Sequence, residues 1–445
     1  QSLARLLCQR GTQVTGSDRA PLMPDWLADA GIRTAAQHSV PALPADAELV
    51  VFSQAIPPDW PELLQARERG IATVSYAQAL GLAMRGRQGI VVAGTHGKST
   101  TVAMVAHILE HAQLRPSVVA GASTLDGLPL GRAGEGDWFV AEGCEFRRSF
   151  LQLSPRVAAV LNVEPDHFDC FPQADDLDAA FREFVGGLPS DGLLLVNADC
   201  ARARLLSQFT AAEVEWFGKH SRADWSAANV KLVDGRARFE LRRHRARWGE
   251  VALPVAGLHQ VGNALAAIGL AHRAGAPREA ILAGLATFEG LKRRLETLGT
   301  CEGVAVIDDY AHHPTEVQAA IAAVRAMHPD RRLLCVFQPH QASRTVALID
   351  EFARELTAAD SVAVADVFCA RELPAAGHGL AEKLAAKTIA CGGDVLQVHS
   401  LNDILKHVHA AVRPGDVVLT LGAGDIERVA HGLIDGLRRT HGAAK

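Results

Sequence analysis

An apolar run, a glycine-rich turn and a helix signal, in that order, constrain this chain more than any other feature. Residues 90–93 are Ile-Val-Val-Ala, which predicts a buried strand, and the apolar positions of residues 98–109 predict a helix. Glycines at 94 and 97 precede a lysine and a serine, the layout of a phosphate-binding loop, although the turn is two residues tighter than G-x-x-x-x-G-K-[ST]. The residues that we expect to contact a nucleotide are Gly94, Thr95, His96, Gly97, Lys98, Ser99 and Thr100.

The residue types of this turn suit a phosphate group accompanied by a divalent metal ion. Glycines let backbone N–H groups approach a phosphate closely, and the N-terminus of the following helix carries a partial positive charge. Lys98 would neutralise the terminal phosphates, and the hydroxyl of Ser99 would bind Mg²⁺. The alternative is an ordinary turn between a strand and a helix, with an exposed lysine.

Composition excludes several classes of protein. The chain has 445 residues, enough for roughly two to four domains, and 48% of them are hydrophobic. A net charge of −5 leaves no basic surface for nucleic acid, and no apolar run is long enough to cross a membrane. The eight cysteines show no paired spacing, which is typical of reduced thiols. We therefore expect a cytoplasmic protein with no nucleic-acid or membrane partner.

The chain divides into three α/β segments, residues 1–86, 87–297 and 298–445. The first begins within a helix, and residues 13–18 predict a strand like the second strand of a dinucleotide-type domain. We therefore expect the first strand and its glycine-rich loop to be missing. Asp18 either contacts a ribose or sugar nucleotide or caps a turn. Residues 85–89 are predicted to form the linker to the second segment.

Acidic residues follow two predicted strands of the second segment, 138–141 and 156–161. Ligands of a doubly wound sheet gather at the carboxyl ends of its strands, so both ends should face the phosphate loop. The acidic and histidine residues there are Glu142, Glu145, Glu164, Asp166, His167 and Asp169. We predict that Glu142, Glu145 and His167 hold Mg²⁺ beside the phosphates, and the alternative is a solvated acidic loop.

Two polar turns lie near the end of the second segment. Residues 257–263 are predicted to precede an apolar helix over 264–271, and residues 290–294 end the segment with two arginines. An arginine on such a hinge can reach into a phosphate site only when the domains close. A plain basic linker is the alternative.

The third segment repeats the α/β pattern. Strands are predicted at residues 304–307, 333–337, 361–365 and 417–421. Polar turns with histidines and an arginine follow these strands, and turns at one edge of a parallel sheet converge in space. Thr315 is expected to cap a helix over residues 316–327.

Together these motifs resemble the Mur ligase family. Residues 94–98 look like its ATP loop, and residues 308–316 and 337–340 are similar to the member that adds alanine. The other matching stretches are 16–18, 53–57, 162–169, Asn263, Arg293-Arg294 and 422–426. The resemblance spans nearly the whole chain and implies an α/β fold of three domains. These would be a Rossmann-like N-terminal domain, a central P-loop ATPase domain and a Rossmann-like C-terminal domain.

The resemblance also implies a reaction and its substrates. ATP would phosphorylate the carboxylate of UDP-N-acetylmuramic acid, and the amine of L-alanine would attack the acyl phosphate, a step of peptidoglycan synthesis. The carboxylate and the terminal phosphate repel each other, so cations must offset their charge. A monomer or a weak homodimer is expected.

The site residues that the resemblance implies fall into three groups. The contacts to phosphate and Mg²⁺ come from Lys98, Ser99, Glu142 and His167. The contacts to the rest of ATP come from Asn263 on the adenine side and from Arg294 and Asp309 at the hinge and the closing domain. The residues that face the amino acid are His312, His340 and Arg344, of which Arg344 suits a carboxylate.

The chain departs from the family pattern at three places. Residues 142–147 lack two aspartates, Gln260 replaces an asparagine, and Gln341 replaces an arginine expected near the amino acid. Glycine or L-serine could therefore compete with L-alanine. Without its glycine-rich loop the chain is expected to bind ATP but to bind the UDP-sugar poorly. The alternatives are a ligase that recycles murein tripeptide and a catalytically inactive nucleotide-binding homologue.

Overall fold

The computed structural model describes residues 1–18, 25–36, 43–219 and 222–443. In this part of the chain helices alternate with mostly parallel strands, which confirms the predicted α/β class. The described strands form two small parallel pairs, a ten-stranded sheet and a six-stranded sheet. Within the same residues, no helix combines the length and the apolar character needed to cross a bilayer.

The first segment is built of short elements. Its helices and strands are α1 (Ser2–Gln9), β1 (Thr15–Asp18), α2 (Asp25–Asp29), β2 (Arg33–Ala36), β3 (Leu49–Phe52), α3 (Pro61–Glu68), β4 (Ala72–Ser75) and α4 (Tyr76–Met84). Strand β1 pairs with β2, and β3 pairs with β4, both in parallel. Asp18 is the last residue of β1 and is exposed, and its role stays a prediction.

The second segment forms the ten-stranded sheet. Its elements are β5 (Gln88–Ala93), α5 (Lys98–His111), β6 (Ser117–Ser123), β7 (Pro129–Arg132), β8 (Trp138–Gly143), β9 (Pro155–Val160), α6 (Ala174–Gly186), β10 (Leu193–Asn197), α7 (Ala201–Leu205), β11 (Glu213–Gly218), β12 (Trp225–Val233), β13 (Arg236–Arg243), β14 (Ala246–Ala256), α8 (Gln260–Arg273) and α9 (Arg278–Ala286). The strand order is β14-β13-β12-β11-β10-β9-β5-β8-β6-β7.

Strand β5 lies inside this sheet, between the parallel strands β8 and β9. Ile90, Val91, Val92 and Ala93 have no solvent exposure, because α5, α8 and α9 cover one face and α1, α4 and α6 the other. Burying each of the larger side chains stabilises the fold by about 1.5–3 kcal/mol. The carboxyl ends of β5, β8 and β9 therefore meet at one edge, as predicted.

Helix α1 attaches the first segment to the outer strands β6 and β7. The hydroxyl of Ser2 donates to the carbonyl of Ala120 at 2.6 Å, and the guanidinium of Arg5 donates to the carbonyl of Pro129 at 3.0 Å. Gly131 permits this close approach, because a Cβ there would lie 1.9 Å from the carbonyl oxygen of Ser2.

The third segment forms the six-stranded sheet. Its elements are β15 (Glu296–Cys301), β16 (Val304–Asp309), α10 (Pro314–Met327), β17 (Leu333–Phe337), α11 (Ala342–Ala347), α12 (Ile349–Leu356), β18 (Ser361–Ala365), α13 (Leu380–Ala390), β19 (Val395–His399), α14 (Leu401–Ala411), β20 (Val417–Leu421) and α15 (Glu427–Ala443). The order is β15-β16-β20-β17-β18-β19, with only β15 antiparallel to its neighbour among these described strands.

The polar turns of this sheet converge, as predicted. The N–H of Gly422 donates to the carbonyl of Asp309 at 3.2 Å, and the N–H of Gln338 donates to the carbonyl of Leu421 at 2.9 Å. The domain boundaries at 86/87 and 297/298 stay predictions, although β15 already belongs to the third sheet from Glu296 onwards.

Two predicted element starts are wrong. The linker does not extend to residue 89, because the N–H of Gln88 donates to the carbonyl of Asp137 at 2.8 Å and β5 has begun. Helix α8 begins at Gln260 rather than after Asn263. Gly257, with a φ of +105°, makes the turn earlier than the polar sequence suggested.

The predicted cap of α10 is also wrong. The helix begins at Pro314, and His313 is its N-cap, with a ring nitrogen that accepts from the N–H of Thr315 at 3.4 Å. Thr315 lies inside the first turn, and its hydroxyl donates to Glu164 at 2.6 Å. Proline suits the first helical position because its missing N–H would have no partner there.

Candidate active site

The phosphate loop (residues 94–100) turns from β5 into α5 through two glycines with positive φ. Gly94 has a φ of +139°, and Gly97, the N-cap of α5, has a φ of +81°. A Cβ on Gly97 would lie 2.4 Å from Oδ1 of Asn263, so the loop packs tightly against α8. The first amides of α5 have no acceptor within the helix and carry the positive end of its dipole. This arrangement suits a phosphate group.

Asn162 holds the phosphate loop from the neighbouring strand. The N–H of His96 donates to Oδ1 of Asn162 at 2.8 Å, and Nδ2 of Asn162 donates to the carbonyl of His96 at 3.2 Å. The N–H of Thr95 donates to the carbonyl of Asn162 at 3.2 Å. Asn162 begins the acidic loop (residues 162–169), so this loop and the phosphate loop are fixed to each other.

Lys98 lies folded over the phosphate loop. Its Nζ donates to the carbonyls of Gly94 at 2.6 Å and Thr95 at 3.0 Å, and it lies 3.1 Å from Oε2 of Glu145. Burial alone would lower the pKa of Lys98, but the carboxylate of Glu145 outweighs it and raises the pKa above its ordinary value. Lys98 is therefore a fixed cation at the loop.

Two of the predicted metal ligands lie together. The hydroxyl of Ser99 donates to Oε2 of Glu142 at 2.8 Å, and the N–H of Gly121 donates to the same oxygen at 3.0 Å. A hydroxyl beside a carboxylate oxygen is a donor set that fits Mg²⁺. Of the other two predicted ligands, Glu145 is paired with Lys98, and His167 lies 3.5 Å from Oε1 of Glu145. It borders the site through Glu145.

Arg344 is paired with Asp166 of the acidic loop. Nε of Arg344 donates to Oδ1 at 2.7 Å and Nη2 to Oδ2 at 3.1 Å, and the two side chains are only 2% and 4% exposed. Burial alone would raise the pKa of Asp166, but Arg344 outweighs it and holds the pKa well below its ordinary value. One carboxylate therefore already occupies this guanidinium, and its contact with an amino acid stays a prediction.

Two further contacts dock the third segment on the acidic loop. Besides the hydrogen bond from Thr315 to Glu164, Arg371 pairs with Asp169 through Nε–Oδ2 at 2.6 Å and Nη2–Oδ1 at 3.0 Å. The guanidinium of Arg371 also lies 3.9 Å from the ring centroid of Phe146. The third segment therefore packs on the acidic loop through these side chains, and the loop is not a solvated one.

His96 connects the phosphate loop with α10. Its Nδ1 lies 3.2 Å from Oε1 of Glu316, and its Nε2 lies 3.4 Å from Oε2 of Glu164. Burial alone would lower the pKa of His96, but Glu316 and Glu164 outweigh it and raise the pKa to about 9. At neutral pH His96 is therefore a second cation at the phosphate loop.

The two hinge arginines have different surroundings. Arg293 is held by Asp308, with Nε–Oδ2 at 3.0 Å, and Nη2 donates to the carbonyl of Gly422 at 2.6 Å. Both guanidinium carbons lie 5.1 Å from the ring centroid of Tyr310. Arg293 therefore stabilises the hinge through its hydrogen bonds, whereas the guanidinium of Arg294 makes none with the described residues.

Asp309 orders the backbone around the hinge. Its Oδ2 accepts from the N–H of Leu295 at 2.7 Å, and its Oδ1 accepts from the N–H of Ala311 at 2.8 Å. Burial raises the pKa of Asp309 to about 6, with Arg294 opposing the shift. Asp309 is thus committed to the local fold, and its predicted contact with ATP is not tested.

His312 and His340 lie near each other, with ring centroids 5.8 Å apart. Burial lowers the pKa of His312 to about 4, with Glu316 opposing the shift. Burial also lowers the pKa of His340 to about 3, assisted by His312 and Arg344. Both imidazoles are neutral at pH 7, so each can accept a hydrogen bond from an amine.

A cavity of about 1110 Å³ lies between the first segment and the second. Its walls include Ser53 and Tyr76 from the first segment and Glu142 and Phe146 from the second, with Arg371 at its border. A cavity of this size can enclose a large ligand. Because Glu142 lies both in this wall and beside Ser99, the cavity opens toward the phosphate loop.

Sequence reasoning missed two residues that hold other side chains of this site in place. Glu316 lies at the end of the matching stretch 308–316, where no role is predicted for it, and it accepts from the N–H of His312 at 3.0 Å while pairing with His96. An acid in the first helical turn after two histidines could have signalled it. Arg371 follows the end of β18 at the edge where the other functional turns gather, which was an available signal.

Comparisons with known proteins agree with this architecture. Three family models match the chain: the Mur ligase family catalytic domain at residues 1–88, the Mur ligase middle domain at 92–271, and the Mur ligase glutamate ligase domain at 293–424. A UDP-N-acetylmuramate–L-alanine ligase of Clostridium novyi is 38% identical over 430 residues, which cover 96% of this chain and 93% of that protein.

Solved structures show the same fold. The UDP-N-acetylmuramate-alanine ligase of Thermotoga maritima matches with a TM-score of 0.82 and 24% identity, over 99% of this chain and 96% of that one. A murein peptide ligase from Psychrobacter arcticus matches with a TM-score of 0.74 and 26% identity, over 98% and 96%. The predicted three-domain architecture is confirmed, and this chain belongs to the Mur ligase family.

Proposed function

We propose that this protein is an ATP-dependent ligase that joins L-alanine to the carboxyl group of UDP-N-acetylmuramic acid, a step of peptidoglycan synthesis. One observation carries the proposal: the phosphate loop, with Lys98 and the Ser99–Glu142 pair, lies at the sheet edge on which the histidine-bearing C-terminal turns dock. The relatives with 38% identity carry the name of this activity, and Mur ligases depend on ATP.

The charges at the loop support transfer of a phosphoryl group. ATP would supply the group that converts the substrate carboxylate into an acyl phosphate. Two anions must approach each other for this, and the cations Lys98 and His96 lower their repulsion. Mg²⁺, held by Ser99 and Glu142 with His167 nearby, would neutralise further phosphate charge.

The remaining nucleotide contacts are proposed for residues at the hinge. Asn263 lies in the first turn of α8 against Gly97, which supports a place beside the bound nucleotide, and the resemblance implies the adenine side. Arg294 is the hinge cation. It lies close enough to Asp309 for its positive charge to oppose the rise in the pKa of Asp309 that burial causes. Closure of the C-terminal domain would bring this pair toward the nucleotide.

The amino-acid side is proposed to consist of His312, His340 and Arg344. The two neutral imidazoles can accept a hydrogen bond from the attacking amine, whereas an imidazolium could not. Arg344 would bind the carboxylate of L-alanine by sharing its guanidinium with Asp166. Gln341, where the family has an arginine, leaves room for glycine or L-serine as weaker substrates.

The surroundings of the site support the remaining proposals. The cavity of about 1110 Å³ would receive UDP-N-acetylmuramic acid. All eight cysteines are free thiols, which agrees with a reducing cytoplasm. We propose a monomer or a weak homodimer as the working form.

An assay of phosphate release tests the function. MgATP, UDP-N-acetylmuramic acid and L-alanine are mixed with the protein, and each substrate is omitted in turn. Release that requires all three supports the proposal, and Lys98→Ala is expected to abolish it. ATP binding without any amino-acid-dependent release would instead support an inactive homologue. Calorimetric titration with UDP-N-acetylmuramic acid separately tests the expected weak binding of the UDP-sugar.

The murein peptide ligase of Psychrobacter arcticus, with 26% identity, makes a tripeptide-adding enzyme the second candidate. The same assay distinguishes the two when the tripeptide L-Ala-γ-D-Glu-meso-diaminopimelate competes with L-alanine. We expect kcat/KM for L-alanine to exceed that for the tripeptide. The reverse order would favour the recycling enzyme.

A further inference from the structure

We propose that His96, Glu164 and His313 form a zinc site that joins the phosphate loop to the C-terminal domain. One possible ligand atom from each of these residues lies within 4.8 Å of the other two. The three come from separate elements: the phosphate loop, the acidic loop and the N-cap of α10. The site is additional to the ligase reaction and does not depend on it.

The distances between ligand atoms are close to those of a tetrahedral zinc centre. Bonds of about 2.0–2.1 Å place two tetrahedral ligands about 3.4 Å apart. Nε2 of His96 lies 3.4 Å from Oε2 of Glu164, and Nδ1 of His313 lies 3.8 Å from the same oxygen. The rings of His96 and His313 have centroids 4.5 Å apart. All three ligand atoms lie within 4.8 Å of one another, so metal binding would draw the two histidines closer together.

Each imidazole is oriented by an oxygen on its outer nitrogen. Nδ1 of His96 lies 3.2 Å from Oε1 of Glu316, and Nε2 of His313 lies 3.3 Å from the carbonyl of Pro165. Such outer partners fix the ring and leave the inner nitrogen free to bind a metal. The long 3.4 Å contact from the N–H of Thr315 to Nδ1 of His313 would be exchanged for the metal bond.

One inner atom lacks a hydrogen bond. Among the described residues, Nε2 of His96 is buried and makes no hydrogen bond of good geometry. Its 3.4 Å contact with Glu164 is an ion pair while the ring is protonated, and Zn²⁺ would displace that proton and take its place. Two imidazole nitrogens with one carboxylate oxygen suit Zn²⁺ and leave a fourth position for water, whereas Mg²⁺ prefers oxygen ligands. This centre is therefore distinct from the Ser99–Glu142 pair.

The position of the site gives it a consequence. His96 is part of the phosphate loop, and His313 caps α10 in the third segment, which the proposed closure of the domains would move. A bound Zn²⁺ would hold the two together and slow the exchange of nucleotide. We therefore expect micromolar Zn²⁺ to inhibit the ligase reversibly even when Mg²⁺ is in excess.

Competition with a chromophoric chelator measures zinc binding to the full chain after treatment with EDTA. We expect one tight equivalent of Zn²⁺, with at least a tenfold loss of affinity in His313→Gln and, as a second variant, in Glu164→Gln. Co²⁺ in place of Zn²⁺ is expected to give the absorption of a tetrahedral nitrogen and oxygen site without thiolate bands. Equal affinity of wild type and both variants, or thiolate bands, overturns the proposal.

A second histidine pair provides the matched control. His107 and His111 lie on α5 with ring centroids 4.8 Å apart, and both reach the hydroxyl of Thr287 at 3.0 Å. The double variant His107→Gln, His111→Gln is expected to keep the tight equivalent of Zn²⁺. Loss of that equivalent in the double variant would assign the zinc to α5 and overturn the proposal.

Hydrogen exchange tests whether the zinc joins the two elements. Zn²⁺ is expected to slow amide exchange in residues 95–99 and at the start of α10 together, and His313→Gln should remove both effects. Protection of only one of the two segments contradicts the bridge.

Discussion

Arg344 and Asp166 form a bidentate ion pair that is buried between the C-terminal domain and the acidic loop, with 2.7 and 3.1 Å between their polar atoms. Both side chains are almost fully enclosed. Removing one partner of such a pair leaves a charge without water or counter-charge, which costs far more than an exposed pair is worth.

We predict that Asp166→Ala lowers the free energy of unfolding by about 3–5 kcal/mol, because Arg344 stays buried without its partner. Urea unfolding measures the change. Asp191→Ala is the control, since its pair with Arg156 is largely exposed and should be worth at most about 1 kcal/mol. Equal losses of stability in the two variants would contradict the claim that breaking the buried pair costs more than breaking an exposed one.

Gly97→Ala is expected to weaken nucleotide binding at least tenfold. The residue has a φ of +81°, and the new Cβ would lie 2.4 Å from Oδ1 of Asn263. Calorimetry with ADP measures the affinity. The variant Gly11→Ala isolates the backbone strain, because Gly11 has a φ of +84° but no atom of the described residues within 4 Å of its missing Cβ.

A double-mutant cycle makes the Gly97 prediction sharper. Asn263→Ala removes the atom that the new Cβ would strike, so the pair Gly97→Ala, Asn263→Ala should lose less than the sum of the single variants. If the losses of ADP affinity in the two single variants simply add up in the double variant, the contact between Gly97 and Asn263 does not affect nucleotide binding.

The raised pKa of His96 predicts a pH dependence of stability. Its pKa is about 9 in the folded state against an ordinary 6.5, so the folded protein binds more protons between these values. The stabilisation is fully present below about pH 6.5 and is lost as the pH rises through about 9. The slope is at most about 1.4 kcal/mol per pH unit.

Comparing wild type with His96→Gln isolates this effect. Urea unfolding from pH 6 to 9.5, in EDTA, should show the stability of wild type falling toward that of the variant. Glu164 and Glu316, whose pKa values lie below their ordinary values, stay ionised over this range and add no slope. A constant difference between the two proteins would refute the assignment.

Arg371→Lys is expected to raise KM for UDP-N-acetylmuramic acid about tenfold. Lysine keeps the charge but loses the two-point contact with Asp169 and the stacking on Phe146 at the border of the cavity. Steady-state kinetics measure the change. Arg354→Lys is the control, because its pair with Glu351 is exposed. An equal rise in KM in this variant would show that Arg371 has no specific role in binding UDP-N-acetylmuramic acid.

Local pattern predicted the framework well. The buried strand β5, the following helix and the meeting of the carboxyl ends of β8 and β9 beside it all follow from apolar runs and from the rule for parallel sheets, although β8 extends to Gly143 and β9 ends at Val160. The start of α8 and the N-cap of α10 were predicted wrongly because a single residue determines each of these helix starts. Gly257 starts α8 early, and the ring of His313 replaces Thr315 as a cap, which composition alone does not indicate.

The residues of the site were easier to find than their partners. Sequence placed Lys98 and Arg344 in the site without their partners. The pair of Lys98 with Glu145 depends on how loops of the second segment pack, and the pair of Arg344 with Asp166 depends on how the third segment docks. Glu316 acts through two histidines, one of which comes from another domain, so its role needed the three-dimensional arrangement.

The acidic loop is bound to the phosphate loop through Asn162, its first residue, and to the C-terminal domain through Asp166, four residues later. A shift of this short peptide on nucleotide binding would therefore be transmitted to the third segment. For the closure proposed above, thermodynamic reciprocity requires that the factor by which ATP favours the closed form equals the factor by which closure tightens ATP binding. One segment of eight residues can thus set both quantities at once.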